Sequence, residues 1–354
     1  MKNNLLQDEQ YYAIKLKELY LKYGFEEYKL SGLEEYSLYS AHENFLSWKE
    51  VAAFNVGGKL LALRPDVTLS VIKNVQASDT KKLFYDEKVY RMSSVGGVDE
   101  VRQIGVEVIG GVDDAVQAEI LTLIKGTLSA FGESFVVDIS HVGIIEGVLK
   151  ELGVFGEDRE QALKCLAEKN LHDFKKLCER LNLSKSGKVA VERLITLSPE
   201  PKKAIAELKS FLPKSTLCFV EEIERVLKLC GDTHVNINFS AMGNADYYNG
   251  LVFKGYLADM PAAILSGGRY DKLVEKFGKS SNAIGFALYF GEISANKKRE
   301  KPTPDVALLY KSGEEEVAYK KAEKLRGEGK SVVICRELPK GFKGKIIYGG
   351  EGND

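Results

Sequence analysis

Residues 89–111, VYRMSSVGGVDEVRQIGVEVIGG, decide the fold. From Arg102 onward the stretch alternates: Ile104, Val106 and Val108 fall on one face, Gln103, Gly105 and Glu107 on the other. Period-two patterning of this kind predicts an antiparallel strand with one dry and one wet face. The upstream run KLFYDEKVYRMS (82–93) reads as its hairpin partner, joined through SVGGVD (94–99). Gln103 and Glu107 sit four residues apart, roughly 13–14 Å by strand rise, with the side-chain-free Gly105 between them. Such a face is either simply wet or a floor on which a small ligand lies between two polar groups.

Upstream, LRPDVT (63–68) ends a strand and opens a helix running to about Val75. Asp66 or Thr68 fits the role of N-cap, accepting the first free N–H groups. A carboxylate there is also suited to a ligand ammonium group, because charge-assisted hydrogen bonds are strong. Gly57-Gly58 reads as a two-residue turn between the strands VAAFNV and KLLALRP. Residues 6–23 read as an amphipathic helix whose apolar face is Leu6, Ile14, Leu16, Leu19 and Tyr20, stopped by Gly24. FEEYKL (25–30) reads as a further strand.

Downstream, a helix is expected over 113–132 and a buried strand at SFVVDISH (134–141). From about 144 to 231 the texture becomes helical, with REQALKCLAEKN, LHDFKKLCERL, EPKKAIAELKSFL and FVEEIERVLKLC as the clearest helices. Strands return at HVNINFS, YYNGLVFKGYL and PAAILSGG, followed by the helix YDKLVEKF and a last strand and helix over 283–296. SGGRYDKL (266–273) reads as a strand-to-helix turn whose glycines allow close backbone approach. Past the charged linker ANKKREKPTP, residues 304–354 read β-α-β-β. The predicted class is α+β, an antiparallel sheet flanked by helices. One domain is expected over 1–300, with its helical insertion near 144–231, and a small α/β domain over 301–354.

Composition narrows the function classes. The 354 residues include 50 basic and 51 acidic side chains, a net charge of −1, so no overall positive field gathers nucleic acid. Five scattered cysteines without a CxxC pair favour reduced thiols, and four scattered histidines propose no metal site. The N-terminal stretch lacks the apolar run of a signal peptide, and no segment reaches the roughly 18 apolar residues of a membrane span. A cytoplasmic protein is expected.

Taken together, LRPDVT, VYR…EVRQIGVEVIGG, DYYNGLVF, GGRYD and NAIGFAL resemble, in order and spacing, the core of class II histidyl-tRNA synthetases over most of residues 1–296. The resemblance implies an amino-acid pocket. Asp66 would hold the ligand ammonium, and Gln103 and Glu107 would flank a bound histidine. Tyr247 and Tyr248 would stand beside its imidazole, with Gly267, Gly268 and Gly285 shaping the space. Thr68, Arg91 and Arg269 belong to the same motifs and are expected to contact the ligand, Arg91 through its carboxylate.

The departures fall on ATP chemistry. Ser93 stands where an acid is expected two positions after Arg91, and Glu292 aligns with the motif 3 arginine. Gly243-Asn244-Ala245 replaces an arginine–glycine–leucine. Positive groups stabilise charge on phosphates, each worth about 3 kcal/mol or more, so adenylation is expected to be lost. The C-terminal stretch covers only part of an anticodon-binding domain, and no tRNA is expected.

This combination resembles the regulatory subunits of ATP phosphoribosyltransferase. It implies a non-catalytic chain with no cofactor, partnered by the short catalytic subunit in a hetero-oligomer, with L-histidine as feedback effector. It also implies a homodimer through residues 24–36, where Ser31 replaces the usual motif 1 proline. The alternatives are a divergent histidyl-tRNA synthetase, which adenylate formation would reveal, and a histidine-sensing paralogue with another partner.

Overall fold

The computed structural model of the chain describes residues 8–40, 51–75, 80–93, 96–242, 247–290, 293 and 304–349. Its contacts divide it into a large unit of residues 7–297 and a smaller one that takes in the chain from Lys298 onward.

Helix α1 (Asp8–Lys22) opens the large unit. Ala13, Leu16 and Tyr20 are buried, whereas Ile14, expected on the apolar face, is 43% exposed. A face stepping by three and four residues from Ala13 leaves its immediate neighbour about 100° away, toward solvent. A short strand β1 (Glu26–Glu27) follows. Then come β2 (Leu33–Glu35), α2 (Ser37–Ser40), β3 (Ala53–Val56) and β4 (Lys59–Leu63). The last three strands form a small antiparallel sheet in the order β2-β4-β3. Gly57 and Gly58 make its two-residue turn with φ of 58° and 82°. Both central residues of a type I′ turn need positive φ, which glycine supplies without strain.

Helix α3 (Val67–Asn74) is capped by Asp66, whose carboxylate accepts from Leu69 N–H. β5 (Lys81–Met92) and β6 (Val98–Ile109) form the long predicted hairpin. α4 (Asp114–Ser129), capped by Asp113, and β7 (Phe135–His141) complete the first half.

Six helices then run without an intervening strand: α5 (Val142–Glu151), α6 (Gly156–Ala167), α7 (Leu171–Arg180), α8 (Lys185–Ile195), α9 (Pro201–Phe211) and α10 (Leu217–Cys230). Of these, α5 and α8 were not among the four clearest helical stretches. Glycines and β-branched residues give both weak intrinsic propensity, and burial of Ile144, Val148, Val191 and Leu194 decides the outcome instead.

The chain re-enters the sheet through β8 (Val235–Ile237), β9 (Leu251–Leu257) and β10 (Leu265–Arg269). α11 (Asp271–Lys276) and β11 (Ala283–Tyr289) follow. The resulting eight-stranded sheet has the order β1-β5-β6-β11-β10-β9-β7-β8. Its interior pairs are antiparallel, while the outer pairs β1·β5 and β7·β8 are parallel. No short alternating run reveals which distant strand it will meet, so the parallel edges escape a local reading.

Each face of the sheet carries its own core. Ile104, Val106 and Val108 pack with Leu16 and Tyr20 of α1, Leu121 and Ile124 of α4, and the insertion. Tyr20 and Thr127 share a buried hydroxyl contact at 3.1 Å that ties α1 to α4. The opposite face packs Leu83 and Tyr85 with Val67 and Val71 of α3 and Leu273 of α11. Polar residues interrupt that second face, and there the cavity forms.

The smaller unit contains β12 (Val306–Leu309), α12 (Glu315–Gly327), β13 (Val332–Cys335) and β14 (Lys345–Tyr348). Its strands pair in parallel in the order β13-β12-β14. Leu308, Ala318 and Ala322 are its buried core. No helix among the described residues is long and apolar enough to cross a membrane. The five cysteines are free.

Candidate functional site

The strand pairing places residues in transverse rows across the sheet. One row is Glu107–Gly285–Gly268–Val252, and the next is Tyr85–Gly105–Ala287–Ser266–Lys254–Asp138. A third holds Gln103 opposite Tyr289. Side chains of i and i+2 share a face, so all three rows face the same side. Above them lies a cavity of about 370 Å³, closed from α3 by Asp66 and Thr68 and from the other side by Tyr247, Tyr248 and Tyr270. That volume is at the small end of ligand pockets.

Three glycines make the cavity by letting neighbours lie flat. A Cβ at Gly105 would sit 2.5 Å from the Tyr85 hydroxyl, and one at Gly268 would sit 2.8 Å from the Tyr248 ring. A Cβ at Gly285 would collide with the Glu107 carboxylate and with the Val106 carbonyl. The open floor expected at Gly105 is therefore covered by the Tyr85 phenol, which its cross-strand position aims over the glycine. Gly267 lines the cavity directly.

Glu107 is the most constrained polar group. It is 1% exposed and accepts hydrogen bonds from Thr68 Oγ1 at 2.7 Å and the Tyr270 hydroxyl at 2.5 Å. Burial pushes its carboxyl up to about 8 against those two donors, with the charge of Asp66 adding to the rise. Asp66 is also raised, by burial, while Leu69 N–H and the Arg91 guanidinium oppose the rise. Burial holds the phenols of Tyr85, Tyr247, Tyr248 and Tyr270 neutral. Tyr247 and Tyr248 meet edge to face at 4.8 Å, and Tyr247 shares a hydrogen bond with Thr68. Gln103 is 3% exposed, faces the cavity and has no hydrogen-bond partner for its amide among the described residues. An amide open to the cavity with no protein partner marks a place for a ligand group or an ordered water.

The structure thus brings Asp66, Thr68, Arg91, Gln103, Glu107, Tyr247, Tyr248 and Gly267 around one cavity. Gly268 supports it from beneath Tyr248. Arg269, expected in the pocket, lies outside it. The strand β10 continues through both glycines, so alternation sends Arg269 to the face opposite Ser266. There it pairs with Asp271 at 2.9 Å and Glu222 at 3.9 Å. Arg64 is likewise internal, donating to Ser31 O, Glu87 Oε2 and Lys88 O. Arg91 reaches the cavity mouth over the Tyr289 ring, 5.6 Å from its centroid. Ser93 N–H closes the hairpin turn onto Gly97 O. The other departures from the ATP pattern, Gly243, Asn244, Ala245 and Glu292, lie outside the described residues.

Sequence reading did not single out Tyr85, Lys254, Ser266, Tyr270 or Tyr289, all of which line the cavity. For the four strand residues the available signal was alternation, and using it required strand register; Tyr270 lay within the GGRYD motif. Among the described residues no histidine or cysteine lines the cavity, and no cluster of potential ligands could hold a metal. The arrangement suits binding of a small polar molecule.

The histidyl-tRNA synthetase family profile matches residues 7–293. An ATP phosphoribosyltransferase regulatory subunit of Thermoanaerobacter sp. is 31% identical, over 90% of this chain and 87% of that protein. The histidine–tRNA ligase of Methanocaldococcus jannaschii is 30% identical, over 95% of this chain and 86% of that protein. Among solved structures, the ATP phosphoribosyltransferase complex from Thermotoga maritima superposes with a TM-score of 0.64 at 20% identity. The match covers 83% of this chain and 99% of that one, and at this identity it shows the fold alone. The chain therefore belongs to the histidyl-tRNA synthetase family, on the side of the ATP phosphoribosyltransferase regulatory subunits.

Proposed function

We propose that the chain is the regulatory subunit of ATP phosphoribosyltransferase in histidine biosynthesis, and that L-histidine is the ligand of its cavity. The observation that carries the ligand reading is the buried Glu107, braced by Thr68 and Tyr270 and raised to about 8. At neutral pH it holds a proton that neither hydroxyl can accept from it while donating. An unprotonated imidazole nitrogen is a fitting acceptor, and transfer of the proton would leave an imidazolium facing a carboxylate. Asp66, partly accessible beside it, suits the ligand ammonium, and the cavity-facing Gln103 amide suits a further polar group.

The partner is the short-form catalytic subunit, and the chain acts as a homodimer, through residues 24–36, within the hetero-oligomer. It performs no catalysis of its own and reads no tRNA; the sequence departures at 243–245 and 292 support the loss of adenylation. Histidine then regulates by binding two states of the complex unequally, and a coupling of about 1–3 kcal/mol suffices.

A second reading, a working histidyl-tRNA synthetase, is favoured by the 30% identity to the Methanocaldococcus ligase. Calorimetric titration with L-histidine, beside an ATP–pyrophosphate exchange assay, separates the two. Histidine binding without exchange is expected, together with histidine-sensitive activation of the catalytic subunit. Histidine-dependent exchange would overturn the regulatory reading.

A further inference from the structure

The two ends of the cavity differ in charge. Asp66 and Glu107 sit at one end, and Lys254 sits at the other with Ser266 and Tyr289. Lys254 on β9 stands three strand spacings from Glu107 on β6, about 14 Å between backbones at 4.7–4.9 Å per strand. Its ammonium is partly buried, and burial lowers its proton affinity despite the nearby charge of Asp138. No carboxylate lies within ion-pair distance of it among the described residues. Asp138, its cross-strand neighbour, instead accepts a hydrogen bond from Asn238 Nδ2 at 2.7 Å.

Two hydroxyls adjoin this cation. Ser266 is directly opposite Lys254 in the sheet, and its Oγ lies 3.0 Å from the Tyr289 hydroxyl. Arg91, 5.6 Å from the Tyr289 ring centroid, adds positive charge between this end and Asp66. An ammonium drawn partly out of water with no carboxylate in ion-pair contact is costly unless something completes it. A cation beside two mutually bonded hydroxyls, Ser266 and Tyr289, is a donor set suited to a compact oxyanion.

We infer that the Lys254–Ser266–Tyr289 end of the cavity is an anion subsite for a carboxylate or phosphate group, carried by the bound amino acid or seated beside it. The amino-acid part rests on the functional reading above; the anion part rests on Lys254 and its neighbours alone.

The test is calorimetric titration of the full chain with L-histidine, with histamine, which lacks the carboxylate, and with pyrophosphate. It compares wild type with Lys254→Met and Lys254→Arg. The methionine variant should lose at least about tenfold in affinity for the anionic probe, as expected for one charge-assisted hydrogen bond. The arginine variant should recover most of it, and histamine should bind all three alike. Loss confined to L-histidine assigns the subsite to the ligand's own carboxylate, and loss confined to pyrophosphate assigns it to a separate phosphate. Lys254-dependent pyrophosphate binding without any histidine binding would keep the subsite and remove the amino-acid reading. Unchanged affinities in Lys254→Met, or a wild type that takes histamine as tightly as histidine and no pyrophosphate, would overturn the subsite. Should Lys254→Met fail to fold, labelling of wild-type Lys254 by acetic anhydride, read by mass spectrometry, decides. Protection by histidine or pyrophosphate is expected, and equal labelling with and without them overturns the proposal.

Discussion

The two faces of β6 come from one alternating stretch and behave as different materials. Ile104, Val106 and Val108 meet helices that bury them completely, and none of the three needs a polar partner. Gln103, Gly105 and Glu107 meet a cavity, where one carboxyl has two donors, one amide has none and one glycine holds a phenol. The dry face is fixed by volume, which many apolar sets satisfy. The wet face is fixed by the positions of individual atoms, so stability and binding should separate when the faces are changed one at a time.

The largest effect is expected on the dry face. Ile104→Ala should cost about 2–5 kcal/mol in urea unfolding, through lost transfer energy and the cavity left behind. Histidine affinity at native conditions should stay within about twofold; a large affinity loss would show that the faces are not independent. Gly285→Ala should cost somewhat less stability, about 1–3 kcal/mol from overpacking, and should abolish histidine binding because the methyl displaces Glu107.

Glu107 sets a pH test. Its carboxyl is raised from 4.5 to about 8, so the folded state holds a proton that the unfolded state releases. Stability should therefore fall as pH rises from about 4.5 to about 8 and level off above that. Glu107→Gln should flatten this slope when unfolding midpoints are compared across the window, and an unchanged slope would place the titration elsewhere. Tyr248→Phe should leave the melting temperature unchanged and weaken histidine binding by about 1 kcal/mol, one neutral hydrogen bond. The smallest effect belongs to the surface: Ile14→Lys should change stability by no more than about 0.5 kcal/mol, because Ile14 already faces solvent.

The sequence disclosed the elements better than their neighbours. Alternation over 102–109 and the Gly57-Gly58 turn specify hairpins because local sterics and pattern set them. The parallel contacts of β1 and β8 depend on segments far away in the chain, and no local pattern encodes them. The site followed the same rule. Gln103 and Glu107 were legible from one strand's periodicity, and Asp66 from its capping position. Tyr85 and Lys254 were not, because each becomes a wall residue only through its cross-strand partner, Gly105 for one and Ser266 for the other. Arg269 was misplaced because two adjacent glycines read as a turn, yet the strand runs through them and inverts the facing of the next residue.

Tyr85, Glu107 and Tyr248 each rest against main chain where a neighbour has no side chain. A wall of that sort is backed by main chain, so it yields outward only if strands part. The cavity should therefore judge molecules by outline as well as by charge. A ligand enlarged by one methyl on its ring would have to spread the sheet, a cost borne by hydrogen bonds of the whole β6-β11-β10 ladder. Discrimination against near-analogues would then come from the stiffness of the backbone, and would survive changes of pH and salt that weaken every polar contact in the site.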